Sequence, residues 1–140
     1  MVDSAVLARK LSAIRDAIAR IAEVLPPSVE TFRSDRTARE VVTLNLFLAL
    51  QEAIALATHW VADEGWGVPQ THGEAFTMLA DRGVIERELA LRLRGAAGLR
   101  NLIAHQYGVV DVDRIFAIAS SGLGDVRAFC QQLAQRAESI

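Results

Sequence analysis

The sequence predicts an all-α protein, an antiparallel four-helix bundle with short additional helices. Three observations predict it. Apolar residues recur at helical spacing over long stretches. Nine Gly and three Pro in 140 residues are too few to turn the chain of a small β-sandwich. Apolar residues make up 51% and charged residues 23%, which suits one globular core rather than disorder. No internal repeat or low-complexity linker divides the chain, so 1–140 reads as a single domain.

The elements follow in order. From Asp3 to Leu25, the residues Leu7, Leu11, Ile14, Ile18, Ile21 and Leu25 advance by threes and fours along one helix face. Asp3 or Ser4 caps this helix, and Pro26-Pro27 stops it. Ser28 to Asp35 suggests a short helical turn. Arg36 to Glu64 contains neither Gly nor Pro. Its first part, Val41 to Leu48, also alternates like a strand, but the unbroken length decides for a helix. Only Asn45, Glu52, His59 and Asp63 form a polar stripe on it, so it should be the central, most buried helix.

Gly65 to Pro69 reads as a loop, and Thr71-x-x-Glu74 as a capping box for a short helix ended by Gly83. A longer helix runs from about Ile85 to Tyr107, with Gly108 placed as its C-cap. Asp111 or Asp113 starts a helix over Val112 to Ala119, and Ser121-Gly122-x-Gly124 predicts a break. Asp125 then caps a last helix with Val126, Phe129, Leu133 and Ala137 inward.

Composition excludes several functions. The net charge of −2 disfavours nucleic-acid binding by bulk charge, although a local basic patch remains open. The single cysteine, Cys130, has no disulfide partner and reads as a small, half-buried hydrophobe. The N-terminal segment is not a secretory signal. The longest apolar stretch, Val41 to Leu50, is too short and too interrupted to span a bilayer. A cytoplasmic protein without membrane attachment is expected. There is no phosphate-binding loop, dinucleotide fingerprint, His-Glu-x-x-His or paired-cysteine motif, so neither a cofactor nor a metal is expected.

One segment bears on chemistry, Leu99 to Gly108. From Leu89 to Val110 there is no acidic residue, while Arg92, Arg94 and Arg100 are present, so an acidic chain keeps a positive strip. Arg100 and Tyr107 share one shoulder of the helix, and Asn101 and His105 the other. Ala97 and Ala104 between them admit a second helix closely. Arg100 and His105 lie about 140° apart around the axis, so a composite site in a homodimer is the simpler arrangement. The residue types suit phosphodiester chemistry. A histidine in the last helical turn, where the dipole favours its protonated form, moves protons near neutral pH. Arginine offers a planar fork to phosphate, and Asn101 orients either group. Each residue also has an ordinary structural use: His105 as a cap, Arg100 as an ion-pair partner, Tyr107 in packing.

Arg100-Asn101-x-x-x-His105-x-Tyr107 resembles the Arg-x4-His-x-Tyr motif of the HEPN superfamily. Within it the chain is similar to HepT-type toxins. The likeness runs through Leu50-Gln51-Glu52-Ala53-Ile54, His59, Glu74-Ala75-Phe76 and Tyr107-Gly108-Val109-Val110-Asp111. The resemblance implies a metal-independent endoribonuclease toxin acting on RNA as a homodimer. In it Arg100 would stabilise the phosphate, His105 would transfer protons, and Asn101 would match the polar residue after the arginine. Tyr107 would be the tyrosine to which a cognate MntA-like nucleotidyltransferase antitoxin adds AMP. An anionic nucleotide there would repel RNA phosphates. The polar stripe at Glu52, His59 and Asp63 reads as solvated or structural, and His72 carries no assignment. The alternative is a non-catalytic dimeric helical module that holds a nucleotide or a nucleotidyltransferase. A small-molecule-binding bundle has helical architecture alone in its favour.

Overall fold

Seven α-helices form among the residues described by the computed structural model, 2–105 and 111–139, and no strand does. Helix α1 spans Ser4–Val24, with Asp3 as its cap: one carboxylate oxygen accepts from the backbone N–H groups of Ala5 and Val6. Helix α2, Val29–Ser34, is the short turn expected after the prolines, capped by Ser28. Helix α3 spans Arg36–Asp63 under an Asp35 cap. Helix α4 is His72–Asp81, and α5 is Arg87–His105. Helix α6, Val112–Ala117, is capped by Asp111, which settles the choice between Asp111 and Asp113. Helix α7 is Gly124–Glu138.

Helix α3 is the centre of the molecule, packing most heavily on α1 and also on α2, α4, α5, α6 and α7. Its inward residues, among them Leu46, Leu56, Ala57, Trp60 and Val61, are essentially without exposure. As a whole it is long and apolar enough to cross a membrane by length and composition, which the ten-residue stretch Val41 to Leu50 is not. Here one side of it packs on neighbouring helices, while Leu44 and Leu48 stay exposed. Phe76 and Phe129 meet edge to face with centroids 5.4 Å apart, and the pair ties α4 to α7.

Three expectations change. The Ser121-Gly122-x-Gly124 run does not break the chain. Residues Ile118–Gly122 form a π-helical turn that leads from α6 towards α7, and Leu123 stays in the right-handed helical region. The hydroxyl of Ser120 donates to Phe116 O, and that of Ser121 to Ala117 O. The serines thus satisfy carbonyls that a wider turn frees. Asp125 does not cap α7; it lies inside the first turn and accepts from Arg92 Nε at 2.9 Å. Helix α5 begins at Arg87 rather than Ile85, because Val84 and Ile85 are buried in the core and Glu86 N–H donates to Gln132 of α7. The expected end of α5 at Tyr107 and its Gly108 cap lie outside the described residues.

The loop between α3 and α4 positions the site. Gly65 and Gly67 have φ of +71° and +119°, values that L side chains rarely adopt. They turn the chain back over α3 and deliver Thr71 to the start of α4. Thr71 Oγ1 accepts from Glu74 N–H, as a capping box requires. Glu74 reaches back one residue further than the motif predicts, to Gln70 N–H at 2.8 Å.

Candidate functional site

Helix α5 buries Leu89, Leu93, Ala97, Leu99 and Ile103, and this fixes which way Arg100 and Asn101 emerge. Arg100 leaves half-buried between α5 and α3. Its guanidinium lies over the Phe47 ring, 5.3 Å from the centroid, where the ring face attracts a cation. Nε donates to Gln51 Oε1 at 2.6 Å, and Nη1 donates to Asn101 Oδ1 at 2.9 Å. The guanidinium therefore bridges the two helix shoulders that the sequence separates.

Both partners are neutral amides, so the full positive charge stays available to a ligand. A guanidinium only donates, so each amide must present its oxygen to it. The Nη2 end of Arg100 and the NH2 groups of Gln51 and Asn101 donate to no other described residue. Both amide oxygens are turned to the guanidinium, which leaves N–H groups of all three side chains free to meet a ligand. Such a surface selects an anion such as a phosphodiester.

A second contact reaches Asn101 from α4. His72 Nδ1 lies 3.1 Å from the same Oδ1 atom. The two residues share the wall of an open pocket of about 450 Å³ with Thr58, Pro69, Gln70 and Thr71. His105 is the last residue of α5, exposed, one helical turn beyond Asn101. Gln51, Phe47 and His72 are the site residues that sequence reasoning misses. Gln51 lies 49 positions from Arg100, and His72 lies 29 from Asn101, so no local pattern links them. The available signal is the capping box, which sets His72 at the first turn of a helix.

The other candidates fall away from this cluster. Glu52 pairs with Lys10 of α1 at 2.9 Å, and Asp63 accepts from Asp3 N–H at 3.2 Å. The acidic stripe of α3 thus faces α1 and does not neutralise Arg100. His59 Nε2 lies 3.1 Å from Asp63 Oδ2 but is off the line of a hydrogen bond. Arg92 is matched by Asp125, whereas Arg94 donates to the neutral Thr77 Oγ1, so Arg94 and Arg100 carry the positive character of the strip. Tyr107 lies outside the described residues. Among the described residues, no group of three or more His, Cys, Asp or Glu side chains is placed to hold a metal ion. Cys130 is buried on α7, and burial pushes its thiol up to about 11.

Known proteins align with this chain over most of its length. A family model described as ribonuclease HepT-like matches residues 14–133. The mRNA nuclease HepT of Shewanella oneidensis is 29% identical over 124 residues, 89% of this chain and 92% of that protein. A chain in a crystal structure of a toxin–antitoxin with AMP-PNP superposes with a TM-score of 0.87 at 26% identity, covering 94% of this chain and 99% of that one. A tri-AMPylated Shewanella oneidensis HEPN toxin in complex with an MNT antitoxin gives a TM-score of 0.85 at 28% identity, covering 96% and 99%.

Proposed function

This chain belongs to the ribonuclease HepT-like family, and from that premise we propose that it is a metal-independent endoribonuclease, the toxin of a toxin–antitoxin pair. The observation that carries the reading is the Arg100 cluster: a guanidinium held by neutral amides, donors facing outward, with His105 one turn away on the same helix. Arg100 and Asn101 bind the scissile phosphate, and Arg100 supports the charge that grows on it in the transition state. His105 moves a proton. The chemistry needs only a ribose 2′-hydroxyl as nucleophile, and protein groups supply the rest.

The partner is an MntA-like nucleotidyltransferase antitoxin that adds AMP to Tyr107. The relative that is tri-AMPylated and bound to an MNT antitoxin supports this. Tyr107 follows His105 by two positions, so each added nucleotide brings an anion beside the proton-transfer group and repels RNA. We place the pair in the cytoplasm, where its RNA is, with no membrane role. The working form is a homodimer. Leu44 and Leu48 are 55% and 41% exposed on the face of α3 that leads to Gln51, and such an apolar patch invites a partner. A two-fold contact across that face brings two Arg100 clusters to one cleft.

Incubating purified protein with RNA in the presence of chelator tests the reading. Cleavage is expected in the wild type, and Arg100→Ala and His105→Ala are each expected to lower it at least about 100-fold. Unchanged cleavage in both variants, or none in the wild type, removes it; the latter leaves the non-catalytic module. Co-expression with the antitoxin should add AMP mass that Tyr107→Phe abolishes.

A further inference from the structure

Cleavage of RNA through its 2′-hydroxyl needs two proton transfers at opposite ends of one phosphorus. One His105 serves one end; the other end is served either by a second His105 across a two-fold contact or by another group of the same chain. The hydrogen bonds around Asn101 identify such a group. Arg100 Nη1 donates to Asn101 Oδ1, which fixes the amide with its oxygen towards α4. His72 Nδ1 meets that same oxygen at 3.1 Å. A carbonyl oxygen cannot donate, so Nδ1 must carry the proton. In the neutral ring, Nε2 then holds a lone pair.

The setting of that ring fits such a role. His72 is exposed at the wall of the pocket that also contains Thr58, Gln70 and Asn101. Among the described residues, no carboxylate bonds to it. Glu74, the acid of its own turn, is drawn back onto Gln70 N–H. From α5 it faces Asn101, with Arg100 bonded to the same oxygen, while the stem of Arg94 packs beside Gly73. Helix α3 contributes Thr58 to that wall. Asn101 and His105 are i and i+4 on α5, with Cβ atoms about 6 Å apart. His72 is therefore bonded to the amide that holds the phosphate-binding arginine, and His105 sits one turn along the same helix from that amide.

We propose that His72 is the general base of the cleavage reaction, with His105 as the general acid of the same chain. The assignment rests on the ribonuclease reading above. With the scissile phosphate on Arg100 and Asn101, the pocket of about 450 Å³ receives the nucleoside on its 5′ side. Nε2 of His72 takes the proton of that nucleoside's 2′-hydroxyl as the oxygen bonds to phosphorus. The P–O5′ bond breaks, and protonated His105 gives its proton to the departing 5′ oxygen. The products are a 2′,3′-cyclic phosphate and a 5′-hydroxyl; His72 ends protonated and His105 neutral. Exchange with water restores both.

The experiment measures cleavage of a short RNA against pH for the wild type, His72→Asn, His72→Gln and His105→Ala. The His72→Asn side chain keeps a donor for Asn101 without a titrating group, and His72→Gln tests a longer one. A bell-shaped profile is expected in the wild type. Both His72 variants should fall about 100-fold and lose the rise on the acid side, with wild-type helicity and melting. An RNA whose scissile 5′ oxygen is replaced by sulfur needs no acid, so it should rescue His105→Ala and leave the His72 variants slow. Wild-type rates in His72→Asn, a retained acid limb, or sulfur rescue of the His72 variants would each overturn the assignment. Failure of the wild type to cut RNA at all would instead overturn the ribonuclease reading.

Discussion

Arg100 is held by amides rather than by an acid, and at the scale of single residues that choice decides how the site works. A carboxylate beside it would compete with every incoming phosphate; Gln51 holds the guanidinium without cancelling its charge. Gln51→Glu should therefore raise the KM for RNA by at least about tenfold while leaving the melting temperature near wild type, since a half-buried ion pair replaces a hydrogen bond. Arg100→Lys keeps the charge but cannot serve both amides, so it should recover only part of the loss seen in Arg100→Ala. Cys130 gives a pH prediction. Its thiol titrates at about 11 in the fold against 9.0 as the ordinary value, so the proton is held more tightly when folded. The contribution of Cys130 to stability should be level below pH 9.0 and fall from there towards about 11 in denaturant titrations; Cys130→Ala should flatten that fall. Arg100, Asn101 and His105 are legible in the sequence because they lie within six positions of one helix. Gln51 and His72 are not, because tertiary packing alone brings them there.

At the scale of elements, α2 and α6 form a clamp across the end of α3. Phe32 and Phe116 pack with ring centroids 5.5 Å apart, and the Arg33 guanidinium grips both carboxylate oxygens of Asp113, at 2.8 and 2.7 Å. That pairing holds Asp113 below the usual carboxylate range. Its contribution is present above the ordinary value and fades as pH falls through the lowered one. Phe32 is fully buried, so Phe32→Ala should cost about 3–5 kcal/mol of unfolding free energy, read from the denaturant midpoint. Asp111 caps α6, and Asp111→Ala should cost about 1 kcal/mol. Helix starts are mostly readable, because Asp3, Ser28, Asp35, Thr71 and Asp111 each carry an oxygen that binds an early N–H group. The α6–α7 junction reads wrongly because Gly and Ser signal a break by composition, whereas here serine hydroxyls bond back to the preceding turn.

For the whole molecule, the central place of α3 is readable from its long run without Gly or Pro, and its packing against every other helix explains why so few of its residues are polar. Its exposed Leu44 and Leu48 are the exception, and they bear on assembly. Leu48→Glu should shift sedimentation towards the monomer and lower RNA cleavage together; a dimer unaffected by it would place the interface on another face. The amide-held arginine has one more consequence. A guanidinium with no fixed carboxylate keeps its electroneutrality from the solvent, as a loosely held salt anion, while the RNA strand carries its own condensed cations. When the two meet, both ions return to solution, and their gain in freedom drives association. Binding of single-stranded RNA should weaken steeply as salt rises, and Arg100→Ala should reduce the log–log slope by about 0.7 for each phosphate that the arginine no longer neutralises.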